Sequence, residues 1–311
     1  MISSKITGTG TFIPSLKKEN TDFLNEKFLD SDGAALTSEN DVIIEKFKAI
    51  TGIQERRYAR AEYTSSDLAF FAAQKAIEDA QINKEEIDYI IFAHNFGDVK
   101  RGAIQGDMLP SLATRVKYKL KIENPNCVAY DILFGCPGWI EGVIQAQAFI
   151  KAGIAKKCLV IGAETLSRVI DKYDRDSMIY SDGAGACIVE ETTETDSGIL
   201  SHATQTFAKE EAYYLHYGSS FNKNEDKNVR YIKMFGRKIY EFAITNVPAA
   251  MKIALDKAGV DISDVKKIFI HQANEKMDEA IVKRFFRLYK MAVPEGVMPM
   301  SIHKLGNSSV A

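Results

Sequence analysis

The chain has 311 residues, 46% of them hydrophobic and 26% charged, which suits a folded protein with one large core or two fused smaller ones. Forty basic against 42 acidic residues leave a formal net charge of −2, so no global charge draws the protein onto nucleic acid or an anionic membrane. The opening MISSKITGTGTFIP does not pattern as a signal peptide and no apolar run reaches bilayer length; a cytoplasmic protein without membrane insertion is expected.

Apolar strands alternate with amphipathic helices along the chain, which predicts an α/β protein. Residues 5–12 read as a first strand and 30–41, with Asp-Gly and Ser-Glu-Asn signals, as a loop. Ala69, Ala72, Ala73, Ala76, Ile77 and Ala80 share one helix face, and a strand follows at 89–93. A helix is predicted over 109–120, a strand over 127–132, a helix over 137–152, and strands over 158–162 and 185–189. The polar stretch 217–230 reads as a loop. A helix over 237–258 places Val247, Ala250, Met251, Ala254, Leu255 and Ala258 on one face; a strand at 268–270 and a helix over 275–288 follow.

Residues 76–91 and 254–269 resemble each other at an offset of 178. Each ends a helix, crosses a polar turn and enters a strand. Either the chain holds two duplicated halves, 1–190 and 191–311, or two amphipathic helix-to-strand units share a pattern. Copy one continues through further strands, whereas only 41 residues follow Ile270, so the second half is expected to lack its C-terminal part.

The cysteines are Cys127, Cys136, Cys158 and Cys187; none forms a CxxC pair and the five histidines do not join them at metal-ligand spacing, so no metal site is expected. Cys127, Cys158 and Cys187 each open an apolar strand and read as buried small hydrophobes. Cys136 differs. In DILFGCPGWIEG it closes a strand and faces a helix that Pro137 opens. The positive end of that helix favours the thiolate, the form a nucleophile needs; the alternative is a buried cysteine at a tight turn. His271, in IFIHQAN, and Asn307, in LGNSS, would each be structural if alone. With Cys136 they suit carbon–carbon bond formation. A thiolate carries an acyl group while histidine and asparagine donate hydrogen bonds to a second thioester's oxygen, where enolate charge develops.

Cys136, His271 within HQAN and Asn307 within GNSS resemble the Cys-His-Asn triad of the beta-ketoacyl-acyl-carrier-protein synthase III family of condensing enzymes. Ordered matches support the resemblance: KITGTGTFIP (5–14), TGIQERR (51–57), LPSLAT (109–114) and SDGAGA (181–186), the last taken as a glycine turn before a strand. The resemblance implies a thiolase-like fold, two duplicated α/β halves with stacked mixed sheets and buried helices between them. The first half would carry the cysteine and the second the histidine and asparagine. It implies that an acyl primer passes to Cys136, and that malonyl-acyl-carrier protein loses carbon dioxide under hydrogen bonds from His271 and Asn307 and attacks the acyl-cysteine. It implies a homodimer and no permanently bound cofactor.

By the same resemblance Lys276, Lys283 and Arg284, with Arg237, would dock an acidic carrier protein. Lys276, Lys283 and Arg287 share a helix face that could equally be a solvated stripe, and Glu241 takes a commonly basic position. Arg168 matches the arginine that packs on coenzyme A adenine, but Lys46 and Ile50 stand where the family has its opposing tryptophan and a second arginine. The primer donor is therefore either acyl-coenzyme A or an acyl-carrier protein. Phe134, Trp139 and Leu109 are expected to line the acyl pocket. Two other readings stand beside this one. The first is an acyl transfer or a condensation like that of 3-hydroxy-3-methylglutaryl-coenzyme A synthase. It needs a catalytic glutamate, and Glu141 reads as a helix-surface residue. The second is a non-catalytic subunit paired with an active homologue, against which retention of all three residues argues.

Overall fold

The computed structural model describes residues 2–194 and 197–311. In chain order the elements are β1 (Ser3–Phe12), β2 (Leu16–Glu19), α1 (Asn40–Thr51), β3 (Glu55–Tyr58), α2 (Ser65–Ala80), β4 (Tyr89–Ala93), α3 (Leu112–Leu120) and β5 (Val128–Ile132). Then follow α4 (Gly138–Lys151), β6 (Lys157–Thr165), β7 (Asp182–Thr192), β8 (Leu215–Gly218), β9 (Tyr231–Met234), α5 (Gly236–Ala258), α6 (Glu275–Leu288) and α7 (Ile302–Leu305).

The main sheet has the order β1-β7-β6-β4-β5. Its centre is parallel, with β4 between β5 and β6, and β7 runs antiparallel to both neighbours. Strand side chains alternate between faces, so each face builds its own core. Ile90, Phe92, Leu159, Ile161 and Ile188 point toward α2 and α3. Ile91, Val160 and Val189, with Cys158 and Cys187, point toward α4. Burial pushes the thiols of Cys127, Cys158 and Cys187 up to about 11, 12 and 12, which leaves them as inert core residues.

The alanine face of α2 explains the GTGTF sequence of β1. Ala69, Ala72, Ala73 and Ala76 are fully buried. A Cβ on Gly10 would run into the carbonyl of Ala72 and the amide of Ala76. Small residues on both sides let helix and strand backbones approach directly.

The second half is built differently. α5 packs on α6, and two small cores gather Ile244, Met277 and Ile281, and Val282, Phe285 and Phe286. The predicted strand at 268–270 is not formed. Ile268 N–H donates to the Val297 carbonyl at 2.8 Å, but no neighbouring strand among the described residues completes a ladder, and Phe269 is 82% exposed. An extended segment becomes a strand only when another pairs with it. The glycine turn expected at 181–186 is also corrected: Gly183 and Gly185 lie within β7. The predicted loop at 217–230 follows a short hairpin partner, since β8 pairs with β9. The β2–β3 ribbon (LKKE with ERRY) is so charged that no apolar alternation marks it.

Candidate active site

Cys136 sits in the link between β5 and α4. Gly135 has φ +66°, a left-handed conformation that turns the chain sharply out of the sheet. Pro137 precedes the first helical residue, Gly138. Gly138 and Gly162 keep this corner open. A Cβ on Gly138 would press on Ala93 and Val310, and one on Gly162 would run into the Val310 carbonyl. The C-terminal segment 306–310 thus lies directly on the strand ends beside the cysteine.

That segment is pinned by backbone bonds to the first half. Asn307 N–H donates to Ile179 at 3.0 Å, and Ser181 N–H donates to the Asn307 carbonyl at 2.7 Å. The Asn307 side chain uses its Oδ1 to accept from Ser309 N–H at 2.8 Å, which commits its amide NH2 to the opposite direction. Ser309 is held at φ +59°, and its hydroxyl donates to Cys136 Sγ at 3.4 Å.

His271 arrives from the segment between α5 and α6, and its neighbours explain the HQAN sequence. Gln272 Oε1 accepts from Ser301 N–H at 2.8 Å and Ile302 N–H at 2.9 Å, while its Nε2 donates to the Pro299 carbonyl at 2.9 Å. Asn274 caps α6 by accepting from Met277 N–H at 3.1 Å. The imidazole so placed faces the sulfur. Burial pushes the Cys136 thiol up, but the His271 charge and hydrogen bonds from His271 and Ser309 outweigh it and bring it down to about 7. Burial lowers His271, while the Cys136 thiolate, and Asp278 behind it, raise it above its ordinary value. The pair favours thiolate and imidazolium together. Asp278 is fully buried and neither carboxylate oxygen has a hydrogen-bond partner; burial pushes it up to about 7, against the pull of His271.

A cavity of about 420 Å³ reaches Asn307. Asn307, Asn274 and Met277 line its inner end; Lys46, Ile50 and Arg175 stand on its exposed rim. Arg168 does not line it. Its guanidinium donates to the carbonyls of Ala59, Arg60 and Tyr63, tying the 59–63 segment to the turn after β6. Sequence reasoning missed Arg175, seven residues further on. The position of Lys46 and Ile50 on the same rim is the signal that distinguishes the two arginines.

The other expected residues are scattered. Leu109 is 89% exposed and lines a separate groove with Arg115 and Tyr118. Trp139 packs on the α4-side core near Cys187, and Phe134 is part-buried beside Gly138. Glu141 is not a surface residue: it is part-buried in the first turn of α4, with Oε2 sealed and unpartnered. Lys276, Lys283, Arg284 and Arg287 are exposed on α6, although Arg284 also donates to the Ile244 carbonyl at 2.9 Å. Arg237 is 91% exposed and paired with Glu241 at 2.9 Å. Among the described residues, no group of three or more His, Cys, Asp or Glu could hold a metal ion and no helix is long and apolar enough to cross a membrane.

A thiolase-like α/β sheet whose helix-start cysteine meets a histidine and an asparagine from the second half defines a condensing acyltransferase. The model of the 3-oxoacyl-[acyl-carrier-protein] synthase III family matches residues 130–207. The beta-ketoacyl-[acyl-carrier-protein] synthases III of Fusobacterium nucleatum and Acholeplasma laidlawii are each 33% identical, over 100% and 99% of this chain and 88% and 86% of their own lengths. The crystal structure of 3-oxoacyl-[acyl-carrier-protein] synthase III from Aquifex aeolicus superposes with a TM-score of 0.79 at 32% identity, covering 99% of this chain and 87% of that one. The chain belongs to the beta-ketoacyl-[acyl-carrier-protein] synthase III family.

Proposed function

We propose that the protein condenses an acyl primer, held as a thioester on Cys136, with malonyl-acyl-carrier protein, releasing carbon dioxide and a beta-ketoacyl-carrier protein. One observation carries the proposal: the Cys136 thiol is drawn down to about 7 by His271 and Ser309, and Asn307, whose Oδ1 holds Ser309 N–H, lines a cavity. A thiolate at neutral pH attacks the primer thioester, and the primer's carrier leaves with the proton. In the second step the malonyl thioester oxygen accepts hydrogen bonds from His271 and the Asn307 NH2, which stabilise the enolate left by decarboxylation. The enolate carbon attacks the acyl-cysteine and the Cys136 thiolate leaves. The labour divides between halves 1–190 and 191–311, nucleophile in the first and donors in the second.

The substrates enter on the extended thiol arm of their carriers, and no resident cofactor takes part. Lys46 and Arg175 at the rim suit a phosphate on that arm. The exposed α6 face bearing Lys276, Lys283 and Arg284, with Arg237 on α5, offers positive charge to an acidic carrier protein. A cytoplasmic homodimer is the family expectation that goes with this reading.

The test is intact-mass analysis after incubation with acyl-coenzyme A and, separately, acyl-carrier protein. A single acyl adduct that maps to Cys136 is expected, and the donor that gives it identifies the primer source. Malonyl-carrier protein added to the acylated protein should release a beta-ketoacyl product. No adduct with either donor overturns the proposal; an adduct that malonyl-carrier protein cannot discharge overturns the decarboxylating step.

A further inference from the structure

Glu164, near the end of β6, is fully buried at the active centre, and the chemistry above leaves it idle. Its Oε1 accepts two hydrogen bonds from one residue, from the Asn95 backbone N–H at 2.6 Å and from Asn95 Nδ2 at 2.8 Å. The second Nδ2 hydrogen of Asn95 goes to Ser309 Oγ at 3.3 Å. Ser309 Oγ in turn donates to Cys136 Sγ at 3.4 Å. Glu164 Oε2 is sealed from water and has no partner.

Direction runs through this chain of contacts. A single acceptor atom holds both N–H groups of Asn95, which fixes the rotation of its amide. The fixed amide then fills an acceptor site on the Ser309 hydroxyl. A hydroxyl has one hydrogen, and with Asn95 as a donor on one side that hydrogen is turned to the sulfur. We infer that Glu164 is a positioning residue for acyl transfer: acting through Asn95, it aims the Ser309 hydroxyl at the Cys136 sulfur. The sulfur carries negative charge twice per cycle, as attacking thiolate and as the thiolate that leaves, and the aimed hydroxyl stabilises both.

The acid acts in its neutral form. Oε1 is occupied as an acceptor, so the proton sits on Oε2, and a second negative charge is kept away from the thiolate. The groups facing Glu164 agree. Burial pushes it up to about 8; Cys136 and Asp182 of β7 push the same way, and the Asn95 bonds oppose them. Tyr217 of β8, although 47% exposed, is pushed up by desolvation of its hydroxyl and then by Glu164, and stays a neutral phenol.

The test measures the pH profile of iodoacetamide alkylation at Cys136 in the full chain, with the site quantified by mass spectrometry. This readout needs no acyl donor, so it is separate from the adduct experiment on which the proposed function stands. Wild type should show a midpoint near 7. Glu164→Gln keeps a carbonyl oxygen for both Asn95 donors and should retain that midpoint. Glu164→Leu removes the anchor; its midpoint should rise by about one pH unit, a tenfold loss of thiolate below the midpoint, to the level of Ser309→Ala. The double variant should go no further. If Glu164→Leu does not fold, Asn95→Ala breaks the same chain one residue later and should give the same rise. A wild-type midpoint in folded Glu164→Leu or in Asn95→Ala overturns the inference. So does a Gln variant that behaves as Leu does.

Discussion

α2 and α5 carry the same stripe of small and apolar residues, 178 positions apart, and end in different surroundings. On α2, Ala69, Ala72, Ala73 and Ala76 are fully buried on the side toward β1 and β7. On α5 the matching residues, from Val247 to Ala258, are half-buried, and α6 is the helix that packs there. A stripe states that a face can be covered; a partner decides whether it is. The same contrast runs through the site. Cys136 is carried by a sheet with a closed ladder on both sides of β4, whereas His271 hangs on an unpaired segment pinned by Gln272, and Asn307 on backbone bonds to 179–181.

The contrast is broken or sharpened most directly by one substitution made twice. Ala72 and Ala250 are equivalent in the two copies. Ala72→Leu forces a side chain into a closed helix–strand contact beside Gly10 and should cost about 3 kcal/mol or more. Ala250→Leu, on the half-covered face, should stay within about 0.5 kcal/mol. Urea unfolding of both variants decides it. Equal costs would mean that the two stripes are equally enclosed.

Next in size is Gly162→Ala, aimed at the contact between the halves. The added methyl meets the Val310 backbone, so segment 306–310 must lift from the sheet. A loss of about 2 kcal/mol is expected, together with a rise in the Cys136 alkylation midpoint as Ser309 withdraws. An unchanged midpoint would show that the segment yields elsewhere.

Sequence pattern revealed the five-stranded sheet well because β4, β5, β6 and the CIV of β7 carry apolar runs, while β1 shows as Ile and Phe spaced among small polar residues. The bounds predicted at 89–93 and 275–288 match β4 and α6. It failed where a partner, not the segment, decides the outcome. IFI at 268–270 has strand residues and no neighbour among the described residues, and GAG at 183–185 has turn residues inside a ladder because β1 and β6 pair with it. Cys136, His271 and Asn307 came from local motifs. The Glu164–Asn95–Ser309 chain did not, since it joins β6, the turn after β4 and the C-terminal segment, and no spacing in sequence encodes that meeting.

Within the site the contrast predicts that the second half tunes the first. His271→Gln removes the charge that holds the Cys136 thiol down and leaves burial unopposed by it. The alkylation midpoint should rise from about 7 to beyond the ordinary thiol value of 9.0. Condensation should fall about a hundredfold or more, as it does when an oxyanion donor is lost. A midpoint still near 7 would place the source of the shift outside His271, in Ser309's hydrogen bond and the helix start.

Asp278→Asn should give the smallest effect, and it has two opposite signs. Asp278 is an acid whose folded-state pKa is raised, from 3.8 to about 7, chiefly by burial. The folded protein therefore binds its proton more tightly than the unfolded chain does, and stability falls as pH rises from about 4 to about 7. Asparagine carries no such charge. The variant should equal wild type near pH 4 and be the more stable of the two at pH 8. At the same time His271 loses a negative neighbour, so its pKa drops and the imidazolium supports the Cys136 thiolate less. The alkylation midpoint should rise by a fraction of a unit while thermal stability at pH 8 increases. Stability and thiol activation moving together, in either direction, would show that Asp278 acts on the packing of α6 and not through the charge of His271.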